Sequence, residues 1–220
     1  MTTDLAQSIE ETALIDTHEH LQKESNWTDQ GPDILQDLFG NYIHADLISA
    51  GATPEAIQAL NDASNGDLSA RFTGIQAAWE AVQHTGYGEA VSILANEIYG
   101  INDFSRTSLE SAQTQLLKWR QPGGRLYLLR DKAHLDHVQT DDFCWPCLPD
   151  PSGRDFFLYD ISWAGFCNGQ IDPAALHEET DINVVNLASL HQAMQSLFAR
   201  YGQCAVAVKA QHAYNRTLRW

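Results

Sequence analysis

The chain has 220 residues, 44% of them hydrophobic, which suits a globular protein with a sizeable core. Its 29 acids against 13 bases give a net charge of -16, and an acidic surface repels phosphate backbones, so nucleic acid is excluded as a partner. No apolar run approaches the length of a membrane span, and the first residues lack a basic-then-apolar leader, so the expectation is a cytoplasmic protein acting on a small molecule, with no membrane partner.

In chain order, residues 4–12 read as a short helix that Thr3 or Asp4 can cap. Residues 13–18 then read as a buried strand that ends in His18-Glu19-His20. Residues two apart on a strand point to one side, so two imidazoles converge where the strand becomes loop. Neutral imidazole is a favoured ligand for zinc and similar divalent ions. The bland alternative is a pair of surface histidines, since the bare spacing is common. Residues 22–32 read as a polar loop broken by Gly31-Pro32.

From residue 33 to 122 the spacing predicts about five helices and no strand. Ile34, Leu35, Leu38, Phe39, Tyr42 and Ile43 open this helical rhythm; Thr53-Pro54 restarts it, and Leu68, Phe72, Ile75, Trp79 and Val82 continue it. Such a stretch is too long for an ordinary connection and reads as an insertion after the first strand. His44 and His84 fall within it and read as ordinary helix side chains. Thr85-Gly86-Tyr87-Gly88 lacks the preceding strand of a phosphate loop.

Beyond the insertion, either residues 125–130 or residues 134–138 form a strand; the pattern does not choose. Cys144-Trp145-Pro146-Cys147 has no second CxxC to complete a zinc knuckle and lies in a Pro- and Asp-rich loop, so loop thiols are favoured over a redox pair. Residues 156–161 are a better strand, residues 181–201 a long helix stopped by Gly202, and residues 204–209 a buried strand. Alternating strands and helices argue for a parallel α/β fold. Three strand ends then carry chemistry: His18 with His20, Asp160 with Ser162, and Lys209 with His212.

Ile15-Asp16-Thr17-His18-Glu19-His20-Leu21 resembles the first-strand signature of the amidohydrolase superfamily. The resemblance is strong over about ten residues and loose elsewhere. It implies a (β/α)8 barrel of TIM type, of which this chain shows only the first half, in one partial barrel domain over 1–220 with the 33–122 insertion. It implies a divalent metal, zinc first, with His18 and His20 as ligands. Val206-Ala207-Val208-Lys209 is similar in kind to the strand-end lysine that some branches carbamylate to bridge two metals, so Lys209 joins the ligand set; a lysine reaching water or an acid is the alternative. His212 and Arg216 are the substrate-side candidates, and catalytic residues are not identified, Asp160 being a weak stand-in for the family's last-strand aspartate. The implied activity is metal-dependent hydrolysis. The insertion also looks like the uronate isomerase branch, which interconverts sugar acids. A non-catalytic helical interaction protein is the rival from another class. Four strands cannot close such a barrel, so the expectation is an N-terminal fragment, inactive alone, or half-barrels that pair in a homo-oligomer.

Overall fold

A computed structural model describes residues 3–215 and 217–218. The chain forms two compact units: residues 1–24 with 123–220, and residues 25–122.

The first unit is built on four strands, β1 (Leu14–Glu19), β2 (Leu135–Thr140), β3 (Phe157–Ser162) and β4 (Ala207–Lys209). They lie in the order β1-β2-β3-β4, and each neighbouring pair is parallel. The second of the two candidate runs is therefore the strand. Residues 124–132 are helical instead, a short turn of α-helix running into one π-helical turn over Tyr127–Lys132. Leucines and arginines suit a helix as well as a strand, and Gly123, at φ 84°, breaks the chain just before it.

Val138 pairs with Phe157, and Thr140 with Tyr159. These residues and Ile161 are buried, together with Leu176, Ala193 and Leu197 from the helices Pro173–Thr180 and Leu187–Tyr201. One sheet face thus carries the core. The opposite face presents Gln139, Asp160, Ser162 and Lys209, since paired residues of parallel strands share a side. The long helix starts at Leu187, not at residue 181, because Asn186 and Ser189 form a reciprocal capping box there. β1 and β4 are less buried than their apolar runs predict. Each is a terminal strand of the sheet, with only one strand neighbour among the described residues.

The second unit is helical. Seven helices run from Ile34 to Trp119 among the described residues, more than the five expected. The rhythm from Leu68 to Val82 is two helices, because Gly74 caps the first and the next begins at Gln76. An eighth helix, Glu24–Gln30, occupies what reads as a polar loop. Asp33, Thr53, Asp67, Thr85 and Ser105 cap their helices by accepting backbone N–H bonds. Ile34, Leu35, Leu38, Phe39, Ile43, Leu47 and Leu109 form a fully buried core. Among the described residues no helix is long and apolar enough to cross a membrane.

Candidate functional site

The site begins with an irregularity in β1. Asp16 pairs with Val138 and Glu19 with Thr140, so three steps along β1 match two along β2. Val138 and Thr140 both face the core. Strict alternation would put Asp16 and His18 on the same side. The extra residue is a bulge, a device that re-aims a side chain. It is braced by Asp16, whose Oδ1 accepts the His18 backbone N–H at 3.1 Å.

His18 consequently meets the far side of the sheet. Lys209 Nζ at the end of β4 lies 2.6 Å from His18 Nδ1 and 3.2 Å from Nε2. Strands three positions apart in a flat sheet stand roughly 14 Å apart. The direct contact shows that the sheet curls, bringing its two outer strands together at their C-terminal ends.

Asp160 of β3 lies on the same face and is nearly fully buried. Gln139 Nε2 donates to both its carboxylate oxygens, at 2.9 and 3.1 Å. Burial pushes this carboxyl above its ordinary value; the Gln139 bond works against the rise, Asp141 adds to it, and Lys209 and His18 oppose it. A carboxyl with a raised pKa beside a histidine and a lysine is suited to holding or moving a proton.

His20 completes the group. Its ring centre is 4.7 Å from that of His18, nearly perpendicular, and its other face stacks on Phe143 at 4.4 Å. His20 Nδ1 is 2.8 Å from the backbone carbonyl oxygen of Asp141. A carbonyl only accepts, so Nδ1 carries a proton, and in the neutral imidazole it is Nε2 that keeps the lone pair. That is how a ligating histidine is usually oriented. Asp141 is itself fully buried, and its side chain accepts from the Phe143 N–H at 2.9 Å and from Gln211 Nε2 at 3.4 Å. Phe143 sits at φ 61°, rare for a bulky residue, in the position that stacks it on His20.

His18, His20, Lys209 and Asp160 are therefore gathered at one end of the curled sheet. His212 lies half-buried in the turn His212–Tyr214 past β4. Arg216 falls outside the described residues. Asp141 and Gln139 are additions to the sequence reading. They follow or end β2, and without a placed β2 nothing marked them as strand-end groups.

The donor chemistry fits half of a metal site: two imidazoles, one with its tautomer set, and a lysine amine alongside. Among the described residues no set of three His, Cys, Asp or Glu side chains is disposed to hold an ion. The cysteines lie elsewhere and are all free thiols. Cys144 is exposed in the loop after β2, and Cys147 is buried with its Sγ 3.1 Å from the Tyr201 carbonyl. Burial pushes both thiols up, the opposite of what a redox pair needs.

Comparison with protein-family models gives no match, and comparison with curated proteins gives no significant one.

Proposed function

We propose that the chain supplies the first four strands of an amidohydrolase-type barrel and that the barrel is a metal-dependent hydrolase of small molecules. The observation that supports this reading best is the meeting of Lys209 from β4 with His18 from β1 across a curled parallel sheet. In (β/α)8 barrels the chemistry collects at the C-terminal ends of the strands, which is where these groups lie.

In this reading His18 and His20 hold a divalent metal, with Lys209 as a further ligand once its amine is converted to a carbamate. Bound there, such an ion supplies Lewis-acid polarisation of a carbonyl and activation of water. The chain's own residues do the rest. The Asp141 carbonyl fixes the His20 tautomer. Phe143 stacks on one face of that ring and holds its orientation. Asp160, its carboxyl raised by burial, takes or gives the proton that hydrolysis of an amide, ester or lactone requires. The helical unit between β1 and β2 favours one second reading, a uronate-isomerase-like sugar-acid isomerase. Turnover of ring-opened sugar acids against amides or lactones separates the two.

The test is elemental analysis of the wild type and of a His18→Ala/His20→Ala double variant, each checked for folding by circular dichroism. We expect bound divalent metal in the wild type and none in the folded variant. Equal metal content in both, or none in either after incubation with zinc and bicarbonate, would overturn the assignment and leave the non-catalytic interaction protein as the reading.

A further inference from the structure

The helical unit carries an open cavity on its surface, about 600 Å³ in volume, within the size range of small-molecule sites. Its floor is a packed aromatic group, with Phe104 half-buried and Phe72 and Trp79 reaching the surface only at their edges: Phe72 stacks on Phe104 with ring centres 4.8 Å apart, and Trp79 meets Phe104 edge-on at 5.2 Å. Around this floor stand two carboxylates, Glu80 and Asp103. Asp103 accepts from the Ser105 N–H at 2.9 Å and from the Ser108 hydroxyl at 2.8 Å, and both bonds favour its charged form. Glu80 accepts from Gln76, also a lining residue, at 3.1 Å.

The one basic side chain in the lining is already paired with acids. Arg106 reaches both oxygens of Asp67 at 3.2 Å and Glu110 at 3.9 Å. Residues 25–122 hold twelve acids against four bases. The other three bases are also engaged: Arg71 with Asp33, Arg120 with the carbonyls of Trp27, Thr28 and Pro32, and Lys118 with Gln115. An anion entering this cavity meets acids and no uncommitted base. A cation meets carboxylates and aromatic rings, both of which attract it.

We infer that this cavity binds a small organic cation, its ammonium head drawn to Glu80 and Asp103 and its apolar body against Phe72, Trp79 and Phe104. This is independent of the strand-end site and of the activity proposed there.

The probe is benzyltrimethylammonium, titrated into the full chain at low salt by calorimetry, with benzyl alcohol as the neutral aromatic control. We expect saturable binding of the cation and not of the alcohol. Glu80→Gln should weaken it roughly tenfold, as loss of one rim charge does. Thr73→Trp, which places bulk at an exposed lining position, should abolish it. Both positions are exposed, and circular dichroism checks that both variants fold. The His18→Ala/His20→Ala variant should bind as the wild type does. Equal binding of the alcohol, no saturation at millimolar cation, or unchanged affinity in both cavity variants would each overturn the inference.

Discussion

The two units solve the problem of burial differently. In the helical unit, apolar stripes of short helices close on each other, and Ile34, Leu35, Leu38, Phe39, Ile43 and Leu47 have no exposed surface. In the strand unit, the middle strands are buried but the outer ones are not. Leu14 and Ile15 of β1 are 60% and 55% exposed, and Val206 and Val208 at β4 are 50% and 52% exposed. A helix satisfies its backbone within itself, whereas an outer strand leaves a row of backbone groups unpaired. The helical unit is thus self-sufficient in its packing. The strand unit holds its chemistry at the ends of a sheet whose outer strands each have one strand neighbour among the described residues.

Three measurements test that contrast. The largest effect is expected inside the helical unit. Asp33 caps the helix Ile34–Phe39 and also pairs with the buried Arg71 at 2.5 Å. Asp33→Ala removes a cap and leaves the buried Arg71 guanidinium with the Leu60 and Asn65 carbonyls but no counter-charge, so urea denaturation should show a loss of about 4 kcal/mol. A loss under about 1 kcal/mol would mean that Arg71 reaches water, and that this unit is looser than its packing shows.

An intermediate effect is expected in the strand unit at Asp150, which is buried against Arg125 at 3.2 Å. Burial pushes its carboxyl up, but the N–H groups of Ser152 and Glu24, the Ser152 hydroxyl and Arg125 together hold it below its ordinary value. The folded-state pKa is depressed, so its contribution is fully present above the unfolded-state value and is lost as pH falls through the folded one. Asp150→Ala should cost roughly 3 kcal/mol near neutral pH. The gap between variant and wild type should close only in strong acid, below the usual carboxylate range. A gap of constant size down to that pH would refute the ionic origin.

The smallest effect is expected at the open strand. Val208→Thr should change stability by no more than about 0.5 kcal/mol, as exposed positions do. Thermal melts across protein concentrations check this. A concentration-dependent loss well above that would mean that a second copy covers β4 in solution.

Much of this molecule was legible in its residues, though unevenly. The helices from Ile34 to Trp119 follow from a 3–4 apolar spacing punctuated by caps, because helix bonds and caps are local. Thr53-Pro54 marked its helix start. The helix Glu24–Gln30 escaped notice because its sequence, Glu-Ser-Asn-Trp-Thr-Asp-Gln, carries no apolar stripe. The run over residues 125–130 was ambiguous since Leu and Arg suit either element.

The candidate site divides along the same line. His18 and His20 stood out because two residues two apart in a strand share a side, a property of the backbone itself. The helical core, the parallel α/β alternation, the acidic surface and that histidine pair can be read from the residues, because all of them rest on composition or on neighbours a few residues apart. Only the tertiary structure decided that a bulge turns His18 across the sheet, that the sheet curls enough for Lys209 to reach it, and that Gln139 and Asp141 tune Asp160 and His20. Those depend on strand register and sheet curvature, which are set by contacts between segments more than a hundred residues apart.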